Sequence, residues 1–140
     1  MVKTTSFDWD HYISELVKDA DKTFWGFLGC EMIELSQKQV VISLDVKDHH
    51  LNLLHILHGG VHASMLDNAM GLVTMAARPQ ESTVTTNLNI HFMSQIKKQH
   101  ITVYADIIHE SKTMLTTQGR IEDEHGKVCT IGTGSFRVIK

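Results

Sequence analysis

Proline is almost missing from this chain: Pro79 is the only one among 140 residues. Long uninterrupted helices and strands are therefore permitted, and a proline-rich linker or recognition segment is excluded. Cysteine is nearly as scarce. Cys30 and Cys129 show no metal-ligand spacing, and one possible pair is no disulfide framework, so a reducing, cytoplasmic compartment is expected. Positive charge is not in excess, since 13 basic residues against 16 acidic ones leave a formal net charge of −3. That balance gives no electrostatic footprint for nucleic acid. The opening residues MVKTTSFDWD lack the apolar core of a secretory signal. The longest apolar stretch contains His62, Asp67 and Asn68, which speaks against a membrane span. Neither a nucleic-acid nor a membrane partner is expected. Internal repeats, low-complexity tracts and linkers are also missing, and a hydrophobic content of 42% suits one domain with a real core.

The stretch HGGVHASMLDNAMGLVTMAA, residues 58–77, organises the rest. It opens on paired glycines, holds no proline, and stops before Pro79, which biases Arg78 out of helix. Its apolar character on most sides predicts a buried helix. Upstream, an amphipathic helix is expected from about Ser6 to Trp25, capped by Ser6 or Asp8 and ended by Gly26 and Gly29. Residues 28–35 and 40–46 read as a hairpin around a turn at 36–39, and residues 47–57 as a loop. Four more runs with β-branched enrichment follow at 83–92, 101–109, 113–122 and 128–138. Turn-like breaks at 97–99, 110–112 and 123–126 separate them, which predicts a four-strand antiparallel meander. The class is α+β, with one buried helix against a curved antiparallel sheet.

Asp67 is the irregular residue of the central helix, because a helix interior is a poor place for a carboxylate without a specific need. At 100° per residue its face holds Gly60, Ala63, Ser64, Gly71 and Thr74, with Met70 at the edge. The opposite side carries Val61, Met65, Ala69, Leu72, Val73 and Ala76, a core stripe. A helix beginning at Gly59 and Gly60 exposes amide N–H groups with roughly half a positive charge behind them, fit to polarise a carbonyl or hold an anion. Eight residues from Gly59 to Asp67 correspond to a rise of about 12 Å. One chain therefore does not bring both to the same carbonyl. If they cooperate, two chains meet about a two-fold axis.

Other chemistries are weighed on the same residues. His58 and His62 have the spacing of a helical metal pair, with His49, His50 and His55 nearby, but HExxH is missing. Ser64 with a histidine and Asp67 lacks a G-x-S-x-G elbow. Lys97, Lys98 and Arg78 are candidates for phosphate contact or for a solvated turn.

The pattern N-x(5)-H-G-G-x(6)-D, here Asn52, His58, Gly59, Gly60 and Asp67, and the segment TTNLNIHFMSQI from Thr85 to Ile96 resemble the hotdog-fold acyl-CoA thioesterases. Within them the likeness is to the phenylacetyl-CoA thioesterase-like branch, and it runs over about residues 27–138. The resemblance implies a hotdog fold: a long central helix wrapped by a curved antiparallel sheet of about six strands, plus an N-terminal helix. Residues 1–26 would be a helical segment packed on a hotdog domain at 27–140, together one domain. It further implies hydrolysis of an acyl-CoA thioester by a homodimer that assembles to a homotetramer, with no cofactor and no metal. In that reading Gly59, with Gly60 beside it, supplies the N–H that polarises the carbonyl, and His58 shapes the turn. Asn52 helps hold the carbonyl or the attacking water. Asp67 of the facing subunit is general base or nucleophile, and Thr85 places the water. Gly60, Ser64 and Met70 would contact substrate, while Met65, Met70, Phe92 and Met93 suggest an apolar acyl site. An Asp, where the 4-hydroxybenzoyl-CoA branch of Arthrobacter type has Glu, favours the phenylacetyl-type branch. The family often has Gly at the position of His55 and Pro at that of Gln95, departures that bear on acyl specificity. A non-catalytic acyl-CoA sensor, a hotdog hydratase and a metal-dependent hydrolase using His58 and His62 are the competing readings.

Overall fold

The computed structural model describes residues 7–139. Helices α1 (Trp9–Ala20) and α2 (Phe24–Leu28) are followed by strands β1 (Glu31–Leu35) and β2 (Gln39–Asp45). After a 3-10 turn at Asp48–His50 comes the long helix α3 (Gly59–Ala77). Strands β3 (Ser82–Phe92), β4 (His100–Glu110), β5 (Met114–Glu122) and β6 (Val128–Ile139) complete the chain. All six strands form one antiparallel sheet in the order β1-β2-β4-β5-β6-β3, and α3 lies against it. The α+β architecture expected from the sequence is the one observed. No helix among the described residues is long and apolar enough to cross a membrane.

The four-strand meander is not. Only β4, β5 and β6 follow one another in space; β3 pairs with β6 at the far edge, and β2 pairs with β4. The reason lies between β3 and β4, where residues 93–99 form a crossing segment rather than a tight turn. Ile96 within it is 1% exposed, and its carbonyl accepts the Leu57 N–H at 2.7 Å. Burying that side chain holds the connection across the sheet end.

The N-terminal region is also two helices, not one. Asp8 caps α1 by accepting the His11 N–H at 3.0 Å; Ser6, the other expected cap, lies outside the described residues. Gly26 does not end a helix but sits inside α2, where a Cβ would meet the Asp21 carbonyl oxygen at 1.9 Å. The chain doubles back against the end of α1, and only hydrogen fits. Gly29, at φ 88°, closes α2 in the left-handed region. The expected loop at 47–57 holds its 3-10 turn through His50, 1% exposed, whose Nδ1 accepts the Lys47 N–H at 2.8 Å. Its Nε2–H is thereby left to donate to the Leu28 carbonyl at 2.7 Å.

The sheet wraps closely because glycines floor it. A Cβ on Gly132 would meet Leu66 of α3 at 3.2 Å, and one on Gly134 would meet Met70 at 3.2 Å. Leu66, Met70, Met65, Ala69 and Val73 are all 0% exposed. The remaining stripe of α3, running from Gly60 past Ser64 and Asp67 to Gly71, is partly open. Helix α3 thus leaves one face partly accessible, from its N-terminus to its middle.

Candidate active site

His58 begins the site. It sits at the N-cap with φ −63° and ψ 137°, and its Nδ1 accepts the Gly60 N–H at 2.7 Å. A Cβ on Gly60 would stand 2.9 Å from that Nδ1, so the second glycine is what lets the imidazole reach the backbone. The Gly60 amide is therefore spent inside the chain. The Gly59 N–H has no protein acceptor among the described residues, and helix geometry leaves it pointing out of the first turn.

Asn52 approaches from the preceding loop. Its Oδ1 accepts the N–H of Leu54 at 2.9 Å and of Ile56 at 3.3 Å, which leaves Nδ2 as its free donor. His55, within the same loop, adopts φ 60°. Glycine takes that backbone conformation without strain, so the His55 departure has a conformational meaning. Asn52, Leu57, Gly59, His62, Phe92 and Met93 line a depression of about 260 Å³ at the start of α3. Gln95, the other departure, also lies on its wall.

Asp67 lies elsewhere. Its Oδ1 accepts the Thr85 hydroxyl at 2.7 Å, which joins the middle of α3 to the edge strand β3. One helical face separates Asp67 from Gly59 by about 12 Å. The chain thus brings Asn52 and Gly59 together, and Asp67 and Thr85 together, as two separate groups. Ser64 donates its hydroxyl back along the helix to the Gly60 carbonyl at 2.7 Å. Met70 is fully buried under the sheet and does not line the depression. Of the expected acyl-site residues, Met65 is 0% exposed while Phe92 and Met93 stand open.

Of the three candidates for phosphate contact, Arg78 and Lys98 are engaged structurally. Arg78 donates to the carboxylates of Glu81 and Glu110 and to the carbonyls of Ser111 and Lys112, clamping the end of α3. Lys98 pairs with Asp48 at 2.9 Å. His58 and His62 spend their Nδ1 atoms on Gly60 and Thr130 rather than on a common point. Among the described residues no group of three or more His, Cys, Asp or Glu side chains is placed to hold a metal ion.

His62 is the residue that sequence reasoning gave too little weight, treating it as half of a metal pair. It is 4% exposed, its Nδ1 lies 2.7 Å from the Thr130 hydroxyl, and burial pushes its pKa down to about 4. The Phe92 ring meets the imidazole edge-on, with centroids 5.3 Å apart. The available signal was its position one turn below Gly59 in a helix otherwise apolar at that depth.

An unpaired amide at a helix N-terminus, beside a side-chain amide in a pocket, is suited to stabilise negative charge on an oxygen. A hydroxyl-held carboxylate is suited to base or nucleophile chemistry. Residues 54–130 match the family model described as Thioesterase superfamily. An esterase-named protein of Saccharolobus solfataricus is 26% identical over 128 residues, covering 91% of each chain. Human acyl-coenzyme A thioesterase 13 is 25% identical over 87 residues, 61% of this chain and 62% of that protein. The solved structure of thioesterase HI1161 from Haemophilus influenzae superposes with a TM-score of 0.87 at 18% identity, covering 100% of this chain and 96% of that one.

Proposed function

The chain belongs to the thioesterase superfamily, and on that premise we propose that it hydrolyses acyl-CoA thioesters as a homodimer, in the manner of the phenylacetyl-CoA thioesterase-like branch. The observation that carries the reading is the unequal fate of the two glycine amides. His58 consumes the N–H of Gly60, so that Gly59 alone presents its amide to the pocket. The thioester oxygen docks there, with Asn52 Nδ2 beside it.

Asp67 of the facing subunit supplies the second half. As general base it takes a proton from water while the water oxygen bonds to the carbonyl carbon. The tetrahedral oxyanion, held by Gly59, collapses and expels the CoA thiolate, leaving the free acid. As nucleophile Asp67 bonds to the carbonyl carbon and expels the CoA thiolate to give a mixed anhydride, which water then opens to the free acid and the regenerated carboxylate. Thr85 keeps the carboxylate aimed in either route. Strand β3 supports the dimer: it is an edge strand of 11 residues whose outer backbone groups lack strand partners among the described residues. Pairing it with its own copy about a two-fold axis would carry each Asp67 toward the neighbouring Gly59. The name of human acyl-coenzyme A thioesterase 13 supports acyl-CoA as the substrate class, and the open Phe92 and Met93 favour an apolar acyl group.

Thiol release from a panel of short aliphatic, long-chain and aryl acyl-CoAs tests this, run on the wild type and on Asp67→Asn together. Wild type turns over at least one class, and Asp67→Asn folds and binds but loses about 10²–10⁴-fold in kcat. Near wild-type turnover in Asp67→Asn refutes the assignment, and binding without turnover in the wild type identifies a sensor instead.

A further inference from the structure

The geometry points to His62 as a further catalytic residue: its Nε2–H opens into the pocket beside Gly59 and is a second donor to the thioester oxygen. The inference rests on the thioesterase reading above and adds to it a residue outside the N-x(5)-H-G-G-x(6)-D pattern.

The tautomer follows from Thr130. That residue is 0% exposed, and Nδ1 of His62, at 2.7 Å, is the only hydrogen-bond partner of its hydroxyl among the described residues. If Nδ1 carried the proton and donated it, the hydroxyl hydrogen would be left without an acceptor in a dry interior, where an unpaired donor is costly. With the hydroxyl donating to Nδ1, both atoms of that hydrogen bond are satisfied, and the one unpaired donor falls on His62, which lines the depression, rather than in the dry interior. The imidazole proton then resides on Nε2.

Nε2 in turn has no protein partner among the described residues, although His62 is only 4% exposed. His62 is one of the residues lining the depression that also holds Gly59 and Asn52. Phe92 ties the donors together: its ring lies edge-on to His62 and 3.6 Å from where a Gly59 Cβ would stand. An orphaned donor in a pocket wall, one helical turn from a second orphaned donor, suits one oxygen atom held from two sides. Burial keeps the imidazole neutral near pH 7. It can therefore donate to the oxyanion without becoming a cation that retains the carboxylate product.

His62→Phe keeps the ring and its contact with Phe92 but removes both nitrogens, and His62→Gln restores an amide donor near the Nε2 position. The expectation is a kcat loss of about 10²–10³-fold in His62→Phe with KM moved far less, and recovery of at least about tenfold in His62→Gln. On the wild-type protein, nitrogen-15 NMR of the histidines should show Nε2 protonated and Nδ1 bare for His62. Its Nε2–H signal should move when a CoA ketone, with methylene in place of sulfur, is added. A protonated Nδ1, or an Nε2–H signal unmoved by a saturating ketone, overturns the assignment even if His62→Phe fails to fold. A folded His62→Phe with wild-type kcat overturns it too, and leaves thioester hydrolysis standing. A wild type that releases thiol from no acyl-CoA overturns the hydrolase reading and this role with it.

Discussion

Gly59→Pro removes a single hydrogen-bond donor and almost nothing else. Gly59 is the first residue of α3, the helical position at which proline is best tolerated. The residue before a proline is driven to extended backbone, and His58 already has φ −63° and ψ 137°. The His58 cap on Gly60 is untouched, and the Phe92 ring, 3.6 Å from the Cβ position, needs only a small shift. Proline in place of glycine also restricts the unfolded chain, so stability should hold or rise by about 0.4–1 kcal/mol. Activity should not hold. Loss of one donor to a developing oxyanion costs about 2.7–4 kcal/mol, or 10²–10³ in kcat. Thermal melting and steady-state thiol release on the same preparation read both quantities, with Gly59→Ala, which keeps the N–H, as the control. A folded Gly59→Pro with wild-type kcat would refute the claim that this amide polarises the carbonyl.

Two further predictions concern the same helix end. Gly60→Ala places a methyl 2.9 Å from His58 Nδ1, so the cap breaks, at about 1 kcal/mol partly offset by the better helix propensity of alanine. Urea titration should show a small net change, and amide hydrogen exchange should show a loss of protection at residue 60; retained protection there would contradict the cap. Acid should also destabilise the fold through His62, whose pKa is 6.5 when unfolded and about 4 when folded. Between those values the unfolded chain binds more protons, so stability declines as pH drops from 6.5 toward 4, by at most about 3 kcal/mol from this group. His50, lowered by its own burial, acts in the same direction. His62→Gln should flatten the decline in urea melts at pH 7, 5 and 4, and an unchanged slope would contradict this cause.

Helix α3 was legible nearly to the residue because local rules bound it: paired glycines at its start, Pro79 after its end, and apolar residues between. The separation of Gly59 from Asp67 was legible for the same reason, since a helix converts sequence distance into length. Strand pairing was not. Whether β3 neighbours β4 or β6 depends on Ile96 being buried in the connection, a non-local fact that turn-like residues 97–99 concealed. The helix break at residues 21–23 escaped because Gly26 acts by close approach to Asp21 rather than by ending a helix. At the site, the consumption of Gly60 by His58 depends on side-chain geometry, and the protonation of His62 depends on Thr130, 68 residues away. Residue types named the candidates, and distances divided the work among them.

Subunit complementation tests the shared site most directly. Asp67→Ala keeps Gly59, and Gly59→Pro keeps Asp67, so each homodimer is inactive by a different half. Mixed dimers regain one complete site of two, and statistical exchange of equal amounts should restore about a quarter of wild-type activity. With exchange demonstrated on differently tagged chains, activity no greater than the sum of the two parents would contradict a site built from Gly59 of one subunit and Asp67 of the other.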